Sequence, residues 1–492
     1  MAPELESTLD AAKVGRNAMK ASREFAGLAA DSREVGPGYL FAALPGVRAD
    51  GADFVEDAVR RGASAVLGRP ELGAKVRALG VRFIAEDNPR LALARRASAF
   101  FAAQPETVAA VTGTNGKTSV SVFLRQIWRA AGHEAASLGT IGVVTAREER
   151  SLRQTTPDPI ELHRLLADLQ SEGVERLAIE ASSHGLDQYR LDGVDIAAAA
   201  FTNITRDHLD YHPTFEHYLA SKLRLFREVV RSGGAAAINA DAAYAERFLA
   251  AARERGLRTL TVGTKGDGLK LLDCAARAEC QTLSVAFEGR AWRIALPLAG
   301  AFQASNALVA AALAIALGDD PGTVFAGLER LGGAPGRLER VARSAAGAPI
   351  YVDYAHTPDA LETVLSALRP HALGRLHLVF GCGGDRDKGK RPLMGAVAAK
   401  FADRIVVTDD NPRSEDASLI RREILTCCPG AREIPDRAEA IAAAIGALGS
   451  GDALVIAGKG HESGQIVMDE VRPFSDRAVA IEAAVALGGA RA

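Results

Sequence analysis

The sequence predicts an α/β protein of three domains. Its 492 residues are enough for about three domains of ordinary size. Short apolar runs alternate with helical patterns, which is typical of parallel sheets covered by helices on both faces. A segment rich in glycine and proline, 331–336, interrupts this alternation and predicts a boundary. The expected domains are therefore 1–101, 102–334 and 335–492.

The first domain is predicted to be a small α/β unit. Strand-like runs lie at 39–44, 63–67 and 81–84. The alanine-rich segment 92–103 has the composition of a helix, and Pro105 follows it. Because proline cannot continue a helix, the first boundary is placed near the end of this segment.

Composition and charge exclude several classes of protein. Hydrophobic residues make up 48% and charged residues 24%, as in an ordinary globular chain. The 59 Lys and Arg residues nearly balance the 61 Asp and Glu residues, so no nucleic-acid partner is expected. Five cysteines without a CxxC pair favour a reducing compartment. Met1–Lys13 lacks the pattern of a signal peptide, and the apolar run 307–317 is too short to span a bilayer, so a cytoplasmic protein without membrane contact is expected.

The second domain is predicted to carry a phosphate-binding loop (P-loop) on a parallel sheet. A strand-like run, 108–112, leads into Gly113-Thr114-Asn115-Gly116-Lys117-Thr118-Ser119, and a helical pattern follows over 117–131. The glycines let the backbone approach a phosphate, and the N–H groups at the start of the helix point at its oxygens. In such a loop Lys117 pairs with the β- and γ-phosphates, and the Thr118 hydroxyl faces a magnesium ion.

Two departures from known motifs leave alternatives open. Val111 stands where the general phosphate-loop motif has glycine, so a plain glycine turn before a helix is the alternative there. In the third domain Gly381-Cys382-Gly383-Gly384 follows a strand-like run, but Arg386 occupies the place of the last glycine of a dinucleotide-binding motif. A dinucleotide site is therefore the weaker interpretation.

An acid and a histidine follow further strand-like runs of the second domain. Glu180 ends the run 177–179, and His208 lies in a histidine-rich segment after the run 197–201. Parallel sheets bind ligands beyond the carboxyl ends of their strands, so Glu180 is a candidate to hold magnesium beside a triphosphate, and His208 is a candidate ligand contact. Taken alone, Glu180 is equally well explained as a structural hydrogen-bond partner. A single histidine is more often structural or solvated than a ligand, and the histidine-rich segment makes the two explanations of His208 about equal.

The third domain is predicted to be Rossmann-like. Strand-like runs lie at 376–380, 404–407 and 454–457, with helices expected at 358–368 and 392–401. Polar clusters follow the three runs, at 383–391, 409–413 and 458–462. Asp353 follows an earlier strand-like run and is a candidate to contact a ribose or an adenine edge. The three clusters are expected to face one pocket.

These motifs together resemble those of the Mur ligases, the ATP-dependent amide-forming enzymes of peptidoglycan synthesis. The loop at 113–118 is similar to the family's own shortened phosphate loop, which accounts for Val111. Glu180, Asn203, His208, Asn306, Arg337 and the segment 353–358 stand in the family's order. The string Asp410-Asn411-Pro412-Arg413 is similar to that of the branch that adds the third peptide residue, in the form that selects meso-diaminopimelate over L-lysine.

The resemblance implies a reaction. ATP would phosphorylate the terminal carboxylate of UDP-N-acetylmuramoyl-L-alanyl-D-glutamate, and the amine of meso-diaminopimelate would attack the resulting acyl phosphate. The implied catalytic residues are Lys117, Glu180, His208 and Lys222. Two magnesium ions are expected on Thr118, Glu180, His208 and Lys222, the last as a carbamate. The implied partners are ATP, the UDP-linked dipeptide and diaminopimelate, and a monomer is expected.

The resemblance also implies three sets of binding residues. The ATP set is Gly113, Thr114, Asn115, Gly116, Lys117, Thr118, Ser119, Asn306, Arg337 and Asp353. The UDP-substrate set is Ser32, Thr155, Thr156, Ser182, Gln188 and Arg190, and Val47 departs from a polar uridine contact of some relatives. The diaminopimelate set is Arg386, Asp410, Asn411, Pro412, Arg413, Gly458 and Glu462. In this set an arginine fork would grip the distal carboxylate that L-lysine lacks, and a carboxylate would receive the ammonium.

Three alternatives compete with this prediction. A ligase of the same branch that adds L-lysine, and folylpolyglutamate synthase of the same superfamily, would use the same type of reaction. The string 410–413 argues against both. A P-loop ATPase or nucleotide switch without synthetic activity would explain 113–119 but would leave the clusters of the third domain without a role.

Overall fold

The computed structural model describes residues 24–46 and 49–492 of the chain. Met1–Lys13 and Val47 lie outside the described residues. Three sheets flanked by helices make up most of the described chain, and a two-stranded hairpin lies near its C-terminal end. The predicted α/β class is confirmed. In the described ranges no helix is both long enough and apolar enough to span a membrane.

The N-terminal sheet consists of four parallel strands in the order β1-β2-β3-β4. These strands are β1 (Gly27–Ala29), β2 (Tyr39–Ala42), β3 (Ala63–Gly68) and β4 (Arg82–Ala85), and the helices are Val55–Arg60, Gly73–Ala78 and Pro89–Phe101. The last helix begins at Pro89 rather than at Ala92. Its start is fixed because Asn88 Oδ1 accepts a hydrogen bond from Leu91 N (3.1 Å) and proline fits the first helical turn.

The central sheet has eleven strands in the order β15-β14-β13-β12-β11-β10-β5-β9-β6-β7-β8. The strands are β5 (Thr107–Thr112), β6 (Ala135–Gly139), β7 (Gly142–Val144), β8 (Glu149–Arg150), β9 (Arg176–Glu180), β10 (Ile196–Phe201), β11 (Val230–Asn239), β12 (Arg258–Gly263), β13 (Leu269–Ala276), β14 (Gln281–Phe287) and β15 (Arg290–Leu296). From β6 through β9, β5, β10 and β11 to β12, neighbouring strands are parallel. The carboxyl ends of β5, β9 and β10 therefore lie side by side.

The edges of the central sheet differ from the predicted wholly parallel sheet. On one side β7 and β8 run antiparallel to their neighbours, and on the other β14 is antiparallel to both β13 and β15. Residues of β14 alternate between buried and half-buried, which is typical of an antiparallel strand with one face on the core.

The helices of the central region cover both faces of its sheet. They are Lys117–Ala130, Pro159–Ser171, Ser183–Asp187, Phe215–Arg224, Ala245–Glu254, Ala301–Ala316 and Pro321–Leu328. The buried helix predicted at 307–317 begins at Ala301, and its alanine-rich core packs directly against Lys117–Ala130. Small side chains allow this close approach, which brings the helix to the phosphate loop.

The C-terminal sheet has seven strands in the order β20-β19-β18-β21-β17-β16-β24. Its strands are β16 (Glu339–Arg343), β17 (Pro349–Asp353), β18 (Leu376–Phe380), β19 (Arg404–Val407), β20 (Arg432–Glu433), β21 (Ala453–Ala457) and β24 (Ala490–Arg491), and β22 (Gly464–Val467) pairs with β23 (Glu470–Pro473) as the hairpin. The helices are Pro358–Leu368, Lys390–Phe401, Ala417–Leu425, Arg437–Gly446 and Asp476–Ala486. Since β19, β18 and β21 are parallel neighbours, their carboxyl ends are adjacent.

The predicted linker 331–336 is held against the central region. Gly332 N donates to Gln126 Oε1 (2.8 Å), and Gln126 Nε2 donates to Gly332 O (3.2 Å). Just beyond it, Arg340 and Arg343 of β16 both form ion pairs with Glu279 in the turn before β14. The connection between the central and C-terminal sheets is therefore anchored on both sides.

Candidate active site

The phosphate loop after β5 has a backbone that only glycine permits at two positions. Gly113 and Gly116 have φ values of 153° and 89°. A Cβ atom at Gly113 would collide with Thr202 Oγ1, and one at Gly116 would collide with Asn306 Oδ1. The loop therefore rests directly on the end of β10 and on the helix Ala301–Ala316, as the predicted adenine-side contact of Asn306 requires.

Asn203, immediately after β10, ties the loop down. Its backbone O accepts from Thr114 N (2.8 Å), its Oδ1 accepts from Asn115 N (3.0 Å), and its Nδ2 donates to Asn115 O (3.1 Å). The Thr114 hydroxyl lies 2.8 Å from Tyr218 OH. Ser119 is buried in the first turn of the following helix. These bonds fix the loop before any ligand arrives.

Two lysines converge on one carbonyl group of the loop. Lys117 Nζ donates to Gly113 O (3.0 Å) and Thr114 O (2.8 Å), and Lys222 Nζ donates to the same Gly113 O (2.7 Å). Neither amine forms an ion pair with a residue of the described ranges. Lys222 is only 1% exposed, and burial, with Lys117 nearby, lowers its pKa well below the ordinary value. Burial also lowers the pKa of Lys117.

Glu180 lies at the end of β9 with its carboxylate fixed in position. Its Oε2 accepts from Thr118 Oγ1 (3.0 Å) and Thr140 Oγ1 (3.1 Å), and its Oε1 accepts from Thr140 N (2.8 Å). Glu180 is 1% exposed. A carboxylate and a hydroxyl are the hard oxygen ligands that magnesium prefers, so Glu180 and Thr118 fit the predicted metal site. Thr140, which orients the carboxylate, was missed by sequence reasoning because nothing in its local pattern marks it.

His208 is held at the edge of this centre by neighbouring rings. Its backbone is left-handed, with φ of 54°, and its ring centroid lies 4.9 Å from that of His184. The His184 ring in turn lies 4.1 Å from that of Tyr211. Burial lowers the pKa of His208, so the imidazole is neutral at neutral pH, the form that binds a metal.

Four of the predicted UDP-substrate residues form one hydrogen-bonded network. Arg190 donates to Thr156 O (2.7 Å) and to Gln188 Oε1 (2.8 Å), and Ser182 Oγ lies 3.0 Å from Thr156 Oγ1. Thr156 Oγ1 donates to Glu180 O (2.8 Å), which joins the network to the phosphate-loop centre. Burial lowers the pKa of Arg190.

The other two predicted UDP-substrate residues differ in position. Thr155 Oγ1 lies 3.1 Å from Thr140 Oγ1, which places it beside Glu180. Ser32 lies in a short 3-10 helix, Ser32–Glu34, of the N-terminal domain, and no contact of the described residues joins it to the network. Its hydroxyl bonds to Asp57 and lowers the pKa of that carboxyl.

In the third domain a buried lysine organises the predicted diaminopimelate residues. Lys459 is 0% exposed, and its Nζ donates to Asn411 Oδ1 (2.8 Å) and Glu462 Oε2 (3.3 Å). Asn411 Oδ1 also accepts from Ile466 N (3.0 Å), so its Nδ2 must face Glu462 Oε2 (3.0 Å). Sequence reasoning quoted Lys459 but gave it no role. A lysine between two glycines directly after a buried strand is the signal that could have found it.

Arg413 is presented by a strained turn between two strand ends. Its φ is 53°, and its backbone pairs with the hairpin through Ile466 O (3.0 Å) and Met468 N (2.8 Å). Its guanidinium donates to Gly384 O (2.8 Å) and has no carboxylate partner in the described chain. Arg386 is exposed. Arg413 therefore keeps donors free for an anion.

Three more residues of the diaminopimelate set form the wall behind Arg413. Gln465 Nε2 donates to Asp410 O (2.8 Å), and a Cβ on Gly458 would come within 2.6 Å of Asp410 Oδ2. A Cβ on Gly384 would collide with Pro412 O. The ends of β18, β19 and β21 thus lie together, while the shared pocket of the three polar clusters stays a prediction.

Two predicted ATP residues lie where the third domain meets the central one. Arg337 lies 4.7 Å from the Tyr354 ring centroid, and its backbone O accepts from Gln303 Nε2 (2.8 Å). The Asp353 carboxylate accepts from Leu338 N and Ala355 N, each at 2.7 Å. Burial raises the pKa of Asp353 to about 6. Asp353 thus positions the backbone next to Arg337, while its predicted contact with a nucleotide stays a prediction.

Three domain models of one family match the chain in order. The Mur ligase family catalytic domain matches residues 24–110, the Mur ligase middle domain matches 111–314, and the glutamate ligase domain matches 336–460. A UDP-N-acetylmuramoyl-L-alanyl-D-glutamate--2,6-diaminopimelate ligase from Bradyrhizobium diazoefficiens is 57% identical over 472 residues, 95% of this chain and 96% of that protein. A protein of the same name from Agrobacterium fabrum is 52% identical over 468 residues, 95% of each chain. The chain therefore belongs to the Mur ligase family.

Solved structures agree with this membership. A structure of a UDP-N-acetylmuramoyl-L-alanyl-D-glutamate--2,6-diaminopimelate ligase matches with a TM-score of 0.72 and 34% identity, over 94% of this chain and 95% of that one. A folylpolyglutamate synthase from Mycobacterium tuberculosis matches with a TM-score of 0.61 and 19% identity, over 75% of this chain and 92% of that one. At that identity the second match shows only the shared fold.

Proposed function

We propose that this chain is an ATP-dependent ligase that joins meso-diaminopimelate to UDP-N-acetylmuramoyl-L-alanyl-D-glutamate in peptidoglycan precursor synthesis. The observation that carries this conclusion is the 57% identity, over 95% of the chain, to a relative with that printed activity. The geometry agrees with it. Among the described residues, Lys117 and Lys222 lie at the phosphate loop without a carboxylate partner. A separate cluster holds Arg413, also without a carboxylate partner, and the carboxylate of Glu462.

The three domains divide the work. Residues 1–101 hold the UDP end of the substrate, 102–334 hold ATP, and 335–492 hold the amino acid. The matches of the family models at 24–110, 111–314 and 336–460 support this division. Reaction takes place between the domains, because the phosphate loop and Glu180 belong to the central domain while Arg413 and Glu462, which hold the distal head of the incoming amino acid, belong to the third.

The central domain neutralises phosphate charge. Lys117 leaves the carbonyls of Gly113 and Thr114 and pairs with the β- and γ-phosphates, while Arg337 reaches them from the third domain. Thr118, Glu180, His208 and Lys222 would hold magnesium. When bound, magnesium offsets the repulsion between the anionic carboxylate and triphosphate.

Lys222 is carbamylated in the active enzyme. A carbamate forms when a neutral amine nitrogen attacks the carbon of CO2 and then loses a proton. Burial and the neighbouring Lys117 favour the neutral amine, as the lowered pKa of Lys222 shows. The product is an anion beside Lys117, which removes the repulsion between two amines that share the Gly113 carbonyl.

The substrate carboxylate is received by the network around Arg190. This guanidinium is fixed by Thr156 and Gln188 and is continuous with Glu180 through Thr156. Because Thr156 Oγ1 donates to the backbone O of Glu180, the network lies beside the metal-binding residue and brings the carboxylate to be activated next to the γ-phosphate. Ser32 serves the uridine end, away from the reaction.

The third domain selects diaminopimelate by its distal amino-acid head. The Arg413 fork takes the distal carboxylate, and Glu462 takes the ammonium. Lys459 and Asn411 both bond to Glu462 Oε2, so Oε1 stays available for the ligand. L-lysine would leave Arg413 without a partner, and a site built for a polar group can reject an analogue lacking it by ~10⁴-fold.

The amino-acid dependence of phosphate release tests this function. We expect the protein to be a monomer of the cytoplasm. Purified protein, assayed with Mg²⁺ and ATP, should release phosphate only when both the UDP-dipeptide and meso-diaminopimelate are present. Mass spectrometry should find the amide product. Equal turnover with L-lysine would contradict the selectivity. Release of phosphate without the UDP-dipeptide would instead support the simple ATPase.

A further inference from the structure

A second group of metal-binding side chains lies beside the candidate active site. It consists of Asp187, at the end of the helix Ser183–Asp187, and of His212 and His217, at the start of the helix Phe215–Arg224. One ligand atom from each lies within 4.8 Å of the others. None of the three has a role in the reaction proposed above.

The contacts within the group place its three side chains side by side. His212 Nδ1 and His217 Nδ1 lie 2.9 Å apart, and His217 Nε2 lies 3.5 Å from Asp187 Oδ1. Two imidazoles and a carboxylate are a donor set typical of Zn²⁺ and related divalent transition metals. Mg²⁺ prefers oxygen ligands alone and does not suit this set.

His212 is the buried member of the group. It is 0% exposed, and its Nε2 has no hydrogen-bond partner within the described ranges, although buried polar atoms are normally paired. An imidazole nitrogen without a hydrogen-bond partner can coordinate a metal ion.

Neighbouring residues hold the donors in place. Tyr211 OH donates to Asp187 Oδ2 (2.7 Å), which leaves Oδ1 turned toward His217. Thr214 Oγ1 caps the helix by accepting from His217 N (3.1 Å). Hydrogen-bonded supports of this kind orient the ligands of protein metal sites.

We propose that Asp187, His212 and His217 bind one divalent transition-metal ion of the zinc class. The group can be reached from solvent, since the His217 side chain is 43% exposed. The ion joins the helix that precedes Gln188 to the helix that carries Lys222. No hydrogen bond or ion pair among the described residues joins its three ligand side chains to the phosphate loop, so metal binding here can be measured without turnover.

Zinc binding to the full-length protein, stripped of metal with a chelator, tests the proposal without any turnover. The protein is titrated with Zn²⁺ against a chromophoric chelator in excess Mg²⁺, which saturates the phosphate-loop centre. Wild type should bind one Zn²⁺ per chain. His217→Ala should weaken this binding by at least ~10–100-fold, the loss seen even for outer-shell changes.

His133→Ala is the matched control. His133 lies 3.6 Å from carboxylate oxygens of both Glu175 and Asp319, but in the described part of the chain it belongs to no group of three metal-binding side chains. It should bind zinc as wild type does. Asp187→Asn can keep the bond to Tyr211 and should also lose affinity for zinc. It replaces His217→Ala in the test if circular dichroism shows that His217→Ala is misfolded. The proposal would be overturned if wild type bound no zinc, or if Asp187→Asn and His217→Ala both bound zinc with the affinity of wild type.

Discussion

Three buried or half-buried lysines serve the two halves of the site, and their partners differ. Lys117 and Lys222 of the central domain donate only to backbone carbonyls and share one of them. Lys459 of the third domain donates to Asn411 and to the Glu462 carboxylate. The two amines of the central half therefore have no carboxylate within ion-pair distance among the described residues, while the third domain holds a neutralised pair.

The difference indicates what each half is built to do. A buried amine without a carboxylate partner gains from an anion beside it, so we propose that the central half is prepared for phosphate. Burial favours the neutral amine of Lys222, and for that reason we propose that it forms a carbamate. A lysine already paired with a carboxylate gains nothing from a new anion. Lys459 instead fixes the positions of Asn411 and Glu462, so we propose that the third domain is prepared to select one amino acid over another.

The largest expected effect concerns Lys222 of the central half. Lys222→Ala should lower kcat by roughly 10²–10³-fold, because a group that stabilises transition-state charge is lost. Acetate or formate should restore part of the rate, since each can stand in for the carbamate. Steady-state phosphate release with and without the added carboxylate measures this.

Lys270→Ala, an exposed lysine of β13, is the control for Lys222 and should be fully active. Thermal unfolding of both variants checks that the central domain is intact. Full activity of Lys222→Ala without any added carboxylate would contradict the proposed carbamate. It would also mean that the proposed difference between the two halves does not involve Lys222.

The next effect tests Arg413, whose guanidinium has no carboxylate partner among the described residues. Arg413→Lys should lower kcat/KM for meso-diaminopimelate by ~10–100-fold, the value of one or two charge-assisted hydrogen bonds. The low rate with L-lysine should stay the same, because L-lysine has no distal carboxylate for the fork to hold. Arg422→Lys, on the exposed face of the helix Ala417–Leu425, should change neither rate. A parallel loss for both amino acids would mean that Arg413 acts on structure and not on selectivity.

A smaller effect is expected where the lysine only positions its neighbours. Lys459→Met should raise KM for meso-diaminopimelate by ~10-fold, equivalent to about 1.4 kcal/mol, while kcat and the KM for ATP change little. Asn411 then loses the donor that fixes its amide, and Glu462 moves. Kinetics at saturating ATP separate KM from kcat. A fall in kcat with unchanged KM would instead place Lys459 among the catalytic groups.

Much of the fold could be predicted from the sequence because buried parallel strands are continuous apolar runs. The segments 376–380 and 404–407 are strands with the predicted bounds, and Pro358–Leu368 is a helix with the predicted bounds. The antiparallel strands at both edges of the central sheet were missed. Their alternation is short and weak, and the pairing of β13 with β14 depends on contacts that no local pattern specifies.

The site was predictable where function lies in a local motif. The loop 113–119 and the string 410–413 each bring their groups together within a few residues. Thr140 and Lys459 could not be assigned, because their roles depend on partners distant in the chain, Glu180 for one and Asn411 for the other. Asp353 was predicted as a ligand contact, whereas its carboxylate fixes two backbone N–H groups, a contact visible only in three dimensions.

The smallest effect concerns Asp353, at the border between the two halves. Burial raises its pKa from 3.8 to about 6, so the folded protein holds the proton more tightly than the unfolded chain. The stability from this group is therefore full below about pH 4 and is lost as pH rises through 6, by about 3 kcal/mol at most. Asp353→Asn cannot titrate, so wild type should lose stability relative to this variant between pH 4 and 6 in urea unfolding followed by circular dichroism. Asp359→Asn, an exposed neighbour, should keep the wild-type dependence. If the difference in the free energy of unfolding between wild type and Asp353→Asn stays constant over this range, the two backbone hydrogen bonds offset the cost of burying the Asp353 carboxylate. The carboxylate would then be stabilised by its partners, as Glu462 is by Lys459.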